Sequence, residues 1–281
     1  MSEILVSHEP TVRLAAFLVL FGTMATLELM VSARALRAPR GRRWPRNLGL
    51  TAINTAVLRV VFPAGATAAA VWASAHHFGL LQRFALPQPL AIVLAIVTLD
   101  AAIYAQHVAL HAVPFLFRLH AVHHADIDFD VTLGARFHPV EMVLSMLWKL
   151  AAVAALGAPP AAVVLFEVIL SGTSLFSHAN VRVQVSADRL LRWILVTPAM
   201  HVVHHSAAPG ETNSNFGFNL PWWDRLFGTY CAEPKAPLRI GLPAHQRAEE
   251  QSLLWMLALP FQAHAENGKA RRQVSVTRET T

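Results

Sequence analysis

Charged residues cut this chain into long apolar stretches. Between Arg13 and Arg34 the only charge is Glu28; a second stretch covers Leu48 to Ala75, with Arg59 and Pro63 inside it; a third runs from Leu90 to Leu110, interrupted by Asp100. A helix needs about twenty predominantly apolar residues to cross a bilayer, and each stretch meets that length. The fourth, Val140 to Ser177, is long enough to cross twice, and Gly157-Ala158-Pro159-Pro160 supplies the turn. The pattern predicts an all-α, polytopic membrane helical bundle of about five passes.

Composition agrees: 54% of the 281 residues are hydrophobic and only 14% charged, with a mean hydropathy of +0.42, too apolar for an ordinary soluble domain. No small-residue cleavage site follows the first apolar segment, which reads as a retained anchor. Arg34, Arg37, Arg40, Arg42, Arg43 and Arg46 form a dense basic loop after it, and such loops stay in the cytoplasm. The net charge of +6 collects in this loop and in the tail after Lys269, so anionic lipid headgroups explain it without nucleic acid. The inner membrane of a bacterium is the expected location.

Counting passes from the basic loop puts His76 and His77 on the outer face and the ends at His107/His111, His138 and His178 on the cytoplasmic one. His138 and His178 each lie 20 residues from Ala158, so both reach the same depth, roughly 30 Å from the turn. Lys149 and Glu167 lie nine residues from the same centre, where isolated charges are costly and an ion pair is expected.

Ten of the fifteen histidines fall into five groups: His107 and His111; His120, His123 and His124; His138; His178; and His201, His204 and His205. Spacings of three and four put imidazoles on one face of a helix turn. Gathered without metal, they would repel one another when protonated and leave ring nitrogens unpaired when neutral. His8, His245 and His264 stand alone and read as surface residues. The single cysteine, Cys231, excludes an intramolecular disulfide and a thiolate-rich site. Imidazole suits iron, zinc, copper and nickel alike, but ten candidates exceed the needs of one tetrahedral zinc. A dinuclear, nitrogen-rich centre in a cytoplasmic histidine-rich helical cap is the expectation. A zinc-dependent membrane hydrolase, or a non-enzymatic metal transporter or sensor, is the alternative; a transporter should spread its histidines across the bilayer.

The ordered set Asp100-x3-Tyr104-x2-His107-x3-His111, Arg118-Leu119-His120-x2-His123-His124, Arg136-Phe137-His138-Pro139-x-Glu141, Phe176-Ser177-His178-Ala179-Asn180, Thr197-Pro198-x2-His201-x2-His204-His205, Asn215-Phe216-Gly217 and Trp223-Asp224-Arg225-Leu226-Phe227-Gly228-Thr229-Tyr230 resembles the fatty acid hydroxylase superfamily, which includes sterol desaturases and C4-methyl sterol oxidases. The resemblance implies a membrane di-iron monooxygenase that uses dioxygen and two electrons to hydroxylate or desaturate a lipid such as a sterol, sphingolipid or fatty acyl chain. By matching positions, His107, His111, His120, His123, His124, His178, His201, His204 and His205 would hold two iron ions, for which zinc substitutes in isolated protein.

Some relatives carry a further histidine where this chain has Ser174, and His138, at the depth of His178, is either the substitute ligand or part of a supporting HPxE element in which Glu141 orients an imidazole. Asp100 and Tyr104, one turn apart on the face leading to His107, are expected to support the ligands. So are Glu141, Asn180, Asn213 and Asn215, each placed to orient an imidazole or a metal-bound water. Phe115, Phe117 and Phe137 read as packing or interfacial residues, with an apolar substrate channel passing them as the alternative, and the Trp223–Tyr230 segment reads as scaffold. No GxGxxG, cysteine set or HPGG signature is present, so a separate cytoplasmic reductase or ferredoxin-type donor is implied. The expected units are residues 1–98 (first transmembrane helices and basic loop), 99–232 (di-iron unit with the hairpin), 233–264 (peripheral segment) and 265–281 (disordered tail).

Overall fold

A computed structural model describes residues 2–235 and 237–262; His264 and the tail from residue 265 lie outside the described residues. After a short helical turn, Ser2–Ser7, the chain forms α1 (Glu9–Met30), α2 (Arg40–Val61), α3 (Gly65–Ala75), α4 (Gln88–Ala112), α5 (Pro114–His124), α6 (Pro139–Leu156), α7 (Pro160–Ser177), α8 (Val185–Leu191) and α9 (Pro198–His204). Helices α1, α4, α6 and α7 are long and apolar enough to cross a membrane, and α2 and α3 together make a fifth such span, Arg40–Ala75. This is an all-helical integral membrane protein. The second span begins at Arg40, well before the apolar stretch that announced it.

Prolines set most of the boundaries. Pro10, Pro114, Pro139, Pro160 and Pro198 occupy the first turn of their helices, where the missing N–H costs nothing. Pro63 ends α2, and Gly65, with φ of +65°, redirects the chain into α3. The hairpin turn works as the sequence predicts: Gly157 caps α6 with φ of +65° and Pro159 leads into α7. This turn lies against the segment after α3, where the Leu80 N–H donates to the Ala155 carbonyl at 3.0 Å and Gln82 Nε2 to that of Gly157 at 2.8 Å. A side chain at Gly79 would come within 2.2 Å of the Gly157 nitrogen; only glycine permits that approach. His76 and His77 therefore sit at the end of the bundle away from the other histidine groups.

Between the spans, small side chains let the helices approach. Ala66 and Ala70 of α3, Ala95 and Leu99 of α4, Val153 of α6 and Ala162, Val163 and Phe166 of α7 form one buried cluster. Half of the α7 span is enclosed. The ion pair expected across the hairpin is present, Lys149 Nζ lying 2.7 Å from Glu167 Oε1, and it has a third member: Arg13 of α1 reaches Glu167 Oε2 at 3.0 Å.

At the other end of the bundle a polar network ties the first two spans to the histidine layer. Glu28, fully buried, accepts through one oxygen from the backbone N–H groups of Val131 and Asn180, both at 2.7 Å. Arg43 is only 2% exposed. Its guanidinium donates to Asp126 at 2.8 and 3.0 Å and to Asp130 at 2.5 Å, while Arg136 meets Asp126 from the other side at 3.0 Å. Arg40 faces Glu28 at 3.7 Å. The basic loop is thus not wholly a lipid-facing patch: two of its arginines neutralise buried carboxylates. Burial alone would raise the Asp126 carboxyl, but Arg43 and Arg136 hold it below its ordinary value.

Candidate metal centre

Four segments bring nine imidazoles together. The C-terminal turn of α4 carries His107 and His111, α5 carries His120, His123 and His124, the end of α7 delivers His178, and α9 with its cap supplies His201, His204 and His205. They form two groups: His107, His111, His120, His124 and His204; and His123, His178, His201 and His205. Within each, one ligand nitrogen per residue lies within 4.8 Å of all the others. The closest pairs are His111–His124 at 3.1 Å, His107–His120 at 3.2 Å, His123–His178 at 3.2 Å and His178–His201 at 3.0 Å, all between Nε2 atoms. The groups share a wall, where the rings of His124 and His205 stack at 4.5 Å.

The far side of five of the rings explains why their Nε2 atoms converge. His107 Nδ1 donates to the Phe216 carbonyl at 2.7 Å, His120 Nδ1 to Glu141 Oε1 at 2.8 Å and His123 Nδ1 to the Arg136 carbonyl at 3.2 Å. His178 Nδ1 donates to the Ser174 carbonyl and His204 Nδ1 to that of Ser214, both at 2.7 Å. An acceptor on Nδ1 fixes the proton there and leaves the Nε2 lone pair pointing into the group. The buried Nε2 atoms of His204 and His205 have no hydrogen-bond partner among the described residues. Convergent imidazole lone pairs with tautomers set from behind are a donor set fit to hold metal cations.

Burial, reinforced by neighbouring imidazoles, pushes His120, His124, His201, His204 and His205 far below the usual histidine value, and His178 is pushed down to about 3. The rings are neutral at physiological pH, the form that binds metal. Aromatic side chains close the layer. Phe137 stacks on His123 at 4.5 Å, Phe129 on His178 at 5.7 Å, and Phe216 meets His107 and His111 at 5.5 and 5.1 Å. Of the nine histidines only His111 is partly exposed, and its ring lies 5.4 Å from Phe117.

His138 stands apart from both groups. Its Nδ1 caps α6 by accepting from the Val140 N–H at 3.2 Å, and its Nε2 faces the Leu257 carbonyl at 3.2 Å. His138 and His178 flank the two 18-residue helices of the hairpin, but the cap turns the His138 ring toward the C-terminal segment. The residues expected to support the ligands divide. Glu141 contacts His120 directly, and Asn213 is set against His111. Asp100 and Tyr104 instead anchor a loop: Asp100 accepts from Trp223 Nε1 at 2.8 Å and from the Leu220 N–H at 3.2 Å, and Tyr104 meets Thr229 at 2.9 Å. Asn215 holds the backbone of Met200 and Cys231, and Asn180 that of Arg34.

Sequence reasoning missed the part played by Asp224. Its carboxylate accepts from the Phe216 and Gly217 N–H groups at 2.7 and 2.8 Å, which sets the Phe216 carbonyl against His107. It also missed Phe129 and the alternating Asp126, Asp128 and Asp130. Three acids at every second position immediately after a histidine pair were the available signal.

Residues 92–229 match the family profile described as fatty acid hydroxylase. That segment belongs to the fatty acid hydroxylase family. Among curated proteins it is similar to ornithine lipid hydroxylase OlsE of Rhizobium tropici, with 31% identity over 149 residues covering 53% of this chain and 44% of the relative. Alkylglycerol monooxygenase of Xenopus tropicalis is 27% identical over 224 residues, covering 78% of this chain and 48% of the relative. Cholesterol 25-hydroxylase of Rattus norvegicus is 30% identical over 147 residues, covering 51% and 47% respectively. The chain spans about half the length of these relatives. No solved structure gives a significant match. The fatty acid hydroxylase segment contains all nine grouped histidines, whereas Arg43, Glu28 and Gln251, which brace it, lie outside.

Proposed function

We propose that this protein is an integral-membrane di-iron oxygenase that hydroxylates or desaturates an unactivated C–H bond of a lipid. The observation that carries the reading is the pair of adjoining all-histidine groups, five and four strong. Nitrogen-only donor sets suit first-row metals, iron among them, and two groups of that size exceed the needs of one tetrahedral zinc. Two irons held by these nine residues would supply the reducible sites needed to activate dioxygen, with residues 99–232 as the working unit.

The chain's own residues do the rest. The Nδ1 acceptors hold His107, His120, His123, His178 and His204 in one tautomer, and Phe129, Phe137 and Phe216 keep water from the layer. The approach for substrate is the edge at His111, beside Phe117 and the exposed Phe115. That edge lies where α4 ends and α5 begins, within reach of an acyl chain or sterol in the bilayer. The basic loop argues for a cytoplasmic placement of the histidine layer, and electrons come from a separate soluble donor. The named substrates of the relatives, an ornithine lipid, an alkylglycerol and cholesterol, support a lipid as substrate class.

The test is to load the purified protein with iron, supply reductant and isotopically heavy dioxygen in the presence of host lipid extract, and follow the lipids by mass spectrometry. One lipid is expected to gain a heavy oxygen atom or lose two hydrogens, with no product when zinc replaces iron. A product that forms without dioxygen, or equally well with zinc, would overturn the reading in favour of hydrolysis.

A further inference from the structure

The two histidine groups present different surroundings. The five-histidine group opens, at His111, toward exposed apolar side chains. Behind the four-histidine group lies a half-open pocket of about 360 Å³ built by three segments that belong to no span: Arg34–Arg37, Ile127–Phe129 and Leu238–Ile240. Its floor is Phe129, whose other side faces the metal layer, stacked on His178 and 5.3 Å edge-on from His205. One aromatic ring separates this pocket from the four-histidine group.

Three guanidiniums line it. Arg37 and Arg239 are held together by Gln246, which accepts from Arg37 Nη1 at 2.8 Å and from Arg239 Nε at 3.0 Å. Arg34 lies over the Phe129 ring at 5.8 Å, and its buried Nη1 has no hydrogen-bond partner among the described residues. The one carboxylate in the lining, Asp128, is already occupied by the N–H groups of Arg37 and Ala38. The pocket therefore has donors and positive charge in excess, on a face built from loops. Such a surface selects a partner with a matching acidic patch.

We propose that this pocket is the docking site of the electron donor, a small acidic one-electron carrier protein, and that electrons enter the four-histidine side past Phe129. The inference rests on the oxygenase reading. Hydroxylation of R–H consumes one dioxygen, two electrons and two protons and yields R–OH and water, so two carriers are each oxidised once per turnover. The polarity of the two openings keeps reductant and lipid apart: charge guides one, apolar surface the other.

The test measures binding to the full-length protein in nanodiscs, with a reduced [2Fe–2S] ferredoxin and a flavodoxin, both of strong negative charge, as probes. At least one should bind, more weakly as salt rises, and Arg37→Gln/Arg239→Gln should weaken it about tenfold or more, mainly through a faster off-rate and slower association. Arg239→Lys, which keeps the charge, should restore part of the loss. Phe129→Leu should slow oxidation of the bound carrier by the iron-loaded protein by a larger factor than it weakens carrier binding, while reduction by a small viologen radical reports whether the centre is intact. The proposal is overturned if neither carrier binds, if the arginine substitutions leave binding unchanged, or if anionic lipid vesicles rather than carriers respond to them. Oxygen-dependent lipid product with a viologen donor but no carrier binding would sink this inference alone; carrier binding without any lipid oxidation would sink the oxygenase reading instead.

Discussion

Replacing Glu141 by alanine should loosen one metal and not the other. Glu141 Oε1 accepts a hydrogen bond from His120 Nδ1 at 2.8 Å, and both side chains are almost fully enclosed. Without that acceptor the His120 ring can turn or change tautomer, and its Nε2 no longer points steadily into the five-histidine group. Losing such an outer partner typically lowers metal affinity about 10- to 100-fold, or about 1.4 to 2.7 kcal/mol. The four-histidine group does not contain His120 and keeps its own acceptors at the Arg136 and Ser174 carbonyls. The fold should tolerate the change, because Glu141 Oε2 is buried without a hydrogen-bond partner among the described residues and its removal relieves a desolvation cost. Equilibrating protein with graded chelator buffers and counting bound iron by elemental analysis reads the outcome. Glu141→Ala should surrender its first ion at a chelator strength lower by that factor and its second where the unsubstituted protein does; Glu141→Gln, retaining an oxygen acceptor, should fall between. Equal displacement of both ions, or of neither, would refute the reasoning.

Glu167→Gln should destabilise the bundle by about 3 kcal/mol, because it strands Lys149 beside a buried site, whereas Arg13→Gln should cost less than about 1 kcal/mol because Arg13 is 40% exposed and also meets Glu9; unfolding in detergent micelles compares them, and equal effects would contradict the three-member pair. Metal-free protein should lose stability as pH falls below about 6.5. The sign follows from His120, His123, His124, His178, His201, His204 and His205, all depressed when folded. Above that pH both states are neutral, and below it only the unfolded chain takes protons, so each ring removes up to about 1.4 kcal/mol per pH unit. A thermal midpoint unchanged between neutral and mildly acidic buffer would contradict it.

What the sequence disclosed was whatever depends on distance along a helix. The turn at Ala158 gave the depths of Lys149 and Glu167 correctly, because two helices joined by a tight turn leave little freedom of register. Arg13 escaped notice because its packing against α7 is fixed by no local spacing. His138 shows the same limit: rise per residue gives height, and the ring's direction came from a cap and from Leu257, 119 residues away. The basic loop read as uniform surface charge because composition cannot tell Arg43, caged by Asp126 and Asp130, from its solvated neighbours. The histidines were legible because no other element of the chain explains so many at helical spacing, while their division into five and four needed the crossing of α4, α5, α7 and α9.

Glu28 and Arg43 belong to segments that precede residue 92, yet they satisfy the backbone and carboxylates next to His124 and His178. The stretch matching the family is therefore not a self-sufficient module. Cut free at its first residue, it would leave Asp126 sharing Arg136 alone and the Val131 and Asn180 amides without an acceptor. The opening two helices act as a brace that any minimal version of this protein must retain.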